Sequence, residues 1–176
     1  MSVTENVMTD KPGANKPAAN KHSAVVTLPS DTQVQITREF AASADLVYRA
    51  WTTPELIKRW WAGDQGEVVS IEVDLRVGGT WRYVMTAHGG FEVAFHGEYR
   101  EIVPNARLVH TDVFEPMPDH PALTTVSFTE ADGRTTVTLL TDHLTKEDRD
   151  AHVESGMETG VQSSLDHLEE IVLALA

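Results

Sequence analysis

The side chains most able to do chemistry are eight histidines: His22, His88, His96, His110, His120, His143, His152 and His167. No two lie three or four apart in a segment of helical pattern, and none form an H-x-H pair in a strand. The spacing therefore offers no metal site. His110 and Asp112 share one face of an alternating segment, and His143 follows a later one. Such groups could anchor a ligand, or act as a general acid–base with Asp112 orienting the ring. There is no G-x-S-x-G elbow, P-loop or H-E-x-x-H motif. Gly78-Gly79 and Gly89-Gly90 precede strands, whereas a phosphate cradle needs a helix opening after it. No catalytic residue, cofactor or metal ligand is assigned.

The other notable set is aromatic and soft: Trp60, Trp81, Tyr83, Met85, Phe95, Tyr99 and Phe114. Rings with an indole or phenol handle suit flat apolar ligands. With His110, His143, Met157 and Val161 they form the candidate ligand-binding set.

These residues need a frame. From Thr145 to Leu175, apolar residues fall at Val153, Met157, Val161, Leu165, Leu168, Val172 and Leu175, the spacing of one helix with one apolar face. Thr145 reads as its N-cap, with Asp148 three residues on. At ~1.5 Å per residue it spans roughly 45 Å and must lie on something broad. Gly156 and Gly160 on it imply close approach to a sheet, or space left for a ligand.

The rest reads mainly as strands. Gln33–Phe40 alternates, with Arg38 on the apolar side and expected to reach water near the strand end. Ser43 and Thr53-Pro54 open two short helices. Strands follow over 69–75, 81–86, 91–103, 107–114, 123–130 and 135–142, with a bulge expected near Gly97 and Asp132-Gly133 as a tight hairpin. The order is one strand, two short helices, six strands and one long helix. That predicts an α+β domain in which a curved antiparallel sheet of seven strands grips the terminal helix, with a cavity between them.

Composition narrows the classes. A net charge of −13, from 14 Lys and Arg against 27 Asp and Glu, disfavours nucleic acid and anionic membrane surfaces. There is no cysteine and no apolar run of membrane-spanning length. No secretory signal opens the chain, so the expected setting is cytoplasmic. Residues 1–30 read as a disordered polar tail, with the composition for a short strand at 24–28, and residues 31–176 as the domain.

Several runs resemble one family: Thr37-Arg-Glu-Phe40, Val47-Tyr-Arg-Ala-Trp51, Pro54-Glu-Leu56 with Arg59-Trp-Trp61, Asp74–Tyr83, Gly97–Ile102, Ser155–Gly160 and Ser164–Leu168. They are similar to proteins like the C-terminal domain of the activator of the heat-shock protein 90 ATPase, within the START-like, polyketide-cyclase-like and birch-pollen-allergen-like superfamily. The resemblance implies a helix-grip fold with seven strands, two small helices after the first strand and an internal cavity. Many members carry tryptophan where Val161 stands, which implies a different cavity shape here.

The expected function is binding of a small hydrophobic or aromatic ligand between sheet and helix, without catalysis. The alternatives are a protein-interaction or chaperone-cofactor-like module, which needs an exposed apolar patch, and a cyclase- or hydrolase-type enzyme. The latter needs His110, Asp112 and His143 to converge on one point.

Overall fold

The computed structural model describes residues 23–176; the tail expected over the first residues lies largely outside them. An eight-stranded antiparallel sheet runs in the order β1-β2-β8-β7-β6-β5-β4-β3. Its strands are β1 (Val25–Thr27), β2 (Gln33–Phe40), β3 (Gly66–Val73), β4 (Thr80–Ala87), β5 (Glu92–Val103), β6 (Arg107–Phe114), β7 (Ala122–Ala131) and β8 (Arg134–His143). Helices α1 (Ala44–Thr52) and α2 (Pro54–Trp60) follow β2, and α3 (Lys146–Glu154) and α4 (Met157–Leu175) close the chain. The sheet is curved and the fold is the α+β helix-grip arrangement. The eighth strand is β1, which pairs with β2 at the sheet edge.

Local chemistry accounts for most boundaries. The Thr145 hydroxyl accepts the Asp148 backbone N–H at 3.1 Å, capping α3. Pro54 opens α2, where its missing N–H costs nothing. Asp132 and Gly133 both adopt positive φ, 53° and 73°, as a two-residue hairpin with the twist of its strands requires. The α1 cap differs from expectation. The Ser43 side chain caps no helix N–H; instead the Glu130 carboxylate of β7 accepts from Ala44 N at 2.8 Å.

The long terminal helix is two helices. Gly156 has φ 82°, a left-handed conformation that ends α3 and starts α4. Val153 accordingly lies exposed and leaves the apolar stripe. Gly160 approaches the chain after α2 and not the sheet: a Cβ there would strike the side chain of Gln65.

Two further expectations change. β3 carries a bulge between Val68 and Ser70, which throws Val69 out to 55% exposure while Ile71 and Val73 stay half-buried. The β5 irregularity falls between Tyr99 and Glu101, just beyond Gly97. Arg38 is buried, with its side chain only 1% exposed. Its Nη1 donates to Asp166 at 2.6 Å and its Nη2 to Glu169 at 2.7 Å, both on α4, and the guanidinium lies over the Phe40 ring. An arginine in mid-strand facing the core needs carboxylates, and one face of α4 supplies two.

The main core fills the β2–β8–β7 half. Val34, Phe40, Val47, Ala50, Ile57, Val126, Leu168 and Val172 are essentially inaccessible. Tyr48 and Trp51 of α1 meet the Phe128 ring of β7 edge-on at 5.5 and 5.9 Å.

Candidate functional site

The other half of the same face is built from rings. Trp81 and Tyr83 of β4 alternate inward with centroids 4.8 Å apart. Pairing of Tyr83 with Phe95, and of Phe95 with Phe114, carries the row across β5 and β6, and the Phe95–Phe114 centroids are 5.1 Å apart. The same parity on β6 places Leu108, His110, Asp112 and Phe114 inward, which settles a face that pattern alone leaves open. His110 meets Trp81 at 5.2 Å and Tyr99 at 6.0 Å, both edge to face.

Helix α2 covers this surface with Trp61, whose ring meets Tyr83 at 5.3 Å and Phe95 at 5.9 Å. Its neighbour Trp60 turns into the main core, where Nε1 donates to the Ala50 carbonyl at 2.9 Å and the ring lies 4.8 Å from Trp51. Adjacent helical residues point about 100° apart, so only one of the two can serve each side. Trp61 is the residue that the candidate set leaves out; Trp60 and Trp61 both lie one turn from buried Ile57, so helical phase does not choose between them.

What separates this half from the core is incomplete burial. Tyr83, Phe95, His110, Asp112, Phe114, Leu139, Thr141 and Val161 are half-buried although they face inward. Trp81, Met85, Tyr99 and Met157 are buried. Those on β4, β5 and β6 form one inward, ring-rich surface. Two open surface depressions lie elsewhere. One, of about 260 Å³, lies by Lys58, Ala62, Gly66 and His167; the other, of about 340 Å³, lies by Pro121, Leu123, Asp142, His143 and Leu144.

The ring-rich surface also carries polar groups. Burial raises the Tyr83 phenol well above its usual range and pushes Tyr99 up to about 12, and the two phenols interact. Burial also raises the Asp112 carboxyl to about 6, against a hydrogen bond from Thr124 that favours its anion. Burial lowers His110 more strongly than its backbone contact raises it. Nδ1–H of His110 donates to the Thr111 carbonyl at 3.1 Å, so Nε2 of the neutral ring is left as an acceptor. The Trp81 indole N–H is buried without a partner among the described residues.

His143 sits apart from these groups. It pairs with Ala122, which in turn pairs with Asp112, so one strand separates His143 from the carboxyl. Its Nε2 lies 3.0 Å from Nδ1 of His152 on α3, one ring donating and the other accepting. Burial lowers both rings, His152 to about 4. His110, Asp112 and His143 thus hold separate partners, namely Thr111, Thr124 and His152. No group of three or more His, Asp or Glu among the described residues could hold a metal ion. No helix among them is long and apolar enough to cross a membrane.

Comparison with known proteins fits this architecture. A structure from Rhodobacter sphaeroides is 25% identical with a TM-score of 0.79, covering 87% of this chain and 99% of that one. One from Chromobacterium violaceum is 26% identical with a TM-score of 0.72, covering 81% and 98%. An AHSA1-like protein from Aeromonas hydrophila is 26% identical with a TM-score of 0.61, covering 80% and 93%. No curated protein matches the sequence. The family model described as activator of Hsp90 ATPase homolog 1-like protein matches residues 41–172, and the chain belongs to that family.

Proposed function

We propose that the protein binds a small hydrophobic or aromatic molecule against this ring-rich surface, between the sheet and α4, without itself being an enzyme. One observation carries this reading. The inward face of β4, β5 and β6 keeps accessible surface on Tyr83, Phe95, His110, Asp112 and Phe114, while the inward face of β2 and β7 keeps almost none. Apolar ring surface left in contact with water is worth roughly 25 cal/mol per Å² to a ligand that covers it. Tyr83, Tyr99, His110 and Asp112 then fix orientation. Trp60, Trp81, Met85, Met157 and Val161 frame the site, and His143 stands at its α3 end. AHSA1-like and START-like folds commonly bind ligands or act as cofactors, which supports the same reading.

Titration with flat lipophiles, followed by the indole N–H resonances of Trp61 and Trp81, tests it. Saturable shifts confined to these residues and their neighbours are expected. Unmoved resonances throughout a varied panel of such compounds would overturn the proposal.

A protein partner is the second reading. Leu123 and Leu144, 43% and 64% exposed, border the 340 Å³ depression at the outer end of β7 and β8. If that surface docks a protein, charge placed at Leu144 would abolish the complex and leave the Trp61 and Trp81 responses intact.

A further inference from the structure

The ring-rich surface of β4, β5 and β6 holds a negative charge with no cation assigned to it. Phe95 pairs with Phe114, His96 with Val113 and Tyr99 with His110, so Gly97 falls opposite Asp112 by register. Gly97 also pairs with Trp81 on its other side. Trp81, Gly97 and Asp112 therefore form one row across three strands, and its middle member has no side chain. None could be placed there: a Cβ would collide with the Thr111 carbonyl oxygen and stand 2.6 Å from the Trp81 indole nitrogen. The indole nitrogen and the Thr111 carbonyl close over Gly97, so no side chain stands between Trp81 and Asp112 in this row.

No ion pair joins Asp112 among the described residues. The arginines of the strands are committed elsewhere, Arg100 to Glu98, Arg107 to Glu101 and Arg134 to Glu39. Arg38 is held by Asp166 and Glu169, and Arg82 by Glu115 at 2.7 and 3.0 Å, where His96 also meets the same carboxylate. His110, the nearest ring base on β6, spends its Nδ1–H on a backbone carbonyl. Thr124 supports the Asp112 anion by hydrogen bonding, and His96 adds a weaker favourable charge without pairing with it. A carboxylate in this setting carries an uncompensated desolvation cost. The rings around it present π faces and edges at 4.8–5.2 Å from Trp81, and ring faces attract cations most strongly where water is excluded.

We propose that the ligand is a compact organic cation, a hydrophobic amine or quaternary ammonium. Its charged end meets Asp112 as counter-ion, with Trp81, Tyr83 and His110 as the neighbouring rings, and its apolar end lies along Phe95 and Phe114. This deepens the small-ligand reading and rests on it. A neutral flat molecule would bury Asp112 further and leave its charge unmatched. A cation removes that cost and uses the ring surface at the same time. The net charge of −13 also enriches cations around the protein before binding.

The test uses a matched pair of probes on the full chain: benzyltrimethylammonium and its carbon isostere neopentylbenzene, with Trp61 and Trp81 indole shifts as readout. The cation should bind at least tenfold more tightly than the hydrocarbon. Asp112→Asn should lower the cation's affinity at least tenfold and leave the hydrocarbon's unchanged. This variant removes a costly buried charge, so it is expected to fold. Equal or tighter binding of the hydrocarbon would overturn the cation proposal and leave the small-ligand reading standing, as would an Asp112→Asn protein that retains the cation fully. Silence from both probes and from the flat lipophiles overturns the two together.

Discussion

The two halves of the inner sheet face use the same alternation to opposite ends. On β2 and β7 the inward side chains are mostly aliphatic or phenyl, with Arg38 and Thr124 among them, and closed over by α1 and α4; Phe40 and Leu168 have no accessible surface. On β4, β5 and β6 the inward side chains are mainly rings, several with a polar atom as in Trp81, Tyr83, Tyr99 and His110, and Trp61 lies against Tyr83 and Phe95. The first half supplies cohesion. The second leaves ring surface and a carboxyl unmatched, and that surplus is available for a ligand. A curved sheet gripping one helix cannot be packed equally tightly along its whole width.

The sharpest break in this contrast is at Arg38. Arg38→Ala should cost about 3–5 kcal/mol in denaturant unfolding, because it removes two charge-assisted hydrogen bonds, to Asp166 and Glu169, and the packing of a buried stem. A matched pair of phenylalanines comes next. Phe40→Ala should lose about 3–5 kcal/mol, and Phe114→Ala roughly half that, since its ring is already partly wet. Equal losses would erase the distinction between the halves.

The histidines of the α3 end give the next effect. Below the usual histidine value of ~6.5, the unfolded chain takes up protons that buried His152, lowered to about 4, refuses. Stability should therefore fall by about 2 kcal/mol as pH drops from about 6.5 to about 4. His152→Gln should flatten that slope.

Asp112 titrates with the opposite sign. Its folded-state value of about 6 lies above that of the unfolded chain, so its ionisation costs stability above pH 6. That cost fades as pH falls through 6 toward 4. Asp112→Asn should stabilise the protein by about 1–3 kcal/mol at pH 8 and by nearly nothing at pH 4. The smallest effect is at Gly160. Alanine there gains up to about 1 kcal/mol of helix propensity but must displace the exposed Gln65 side chain, so Tm should move little.

Residues whose structural role is local were readable from the chain. Thr145, Pro54 and Asp132-Gly133 act through their own backbone neighbours, and each does what its type and position predict. Residues whose role depends on distant partners were not. Arg38 looked bound for solvent because the carboxylates that retain it lie 128 and 131 residues away. The apolar rhythm from Met157 onward marks α4 correctly, but Val153 keeps the same rhythm across a break that only the φ of Gly156 reveals. In the site, strand parity identifies the rings of β4 and β5. Choosing between Trp60 and Trp61 requires the angle at which α2 docks.

The bulge at Val69 bears on how copies of this protein meet one another. β3 is one margin of the sheet, and β1, only three residues long, is the other. A straight margin would offer its unpaired amides to a second chain and seed fibrillar growth. The extra residue disrupts the regular spacing of those amides, and exposed Glu67 and Glu72 add mutual repulsion on either side of it. A concentrated solution of the protein should for this reason stay free of strand-to-strand polymers.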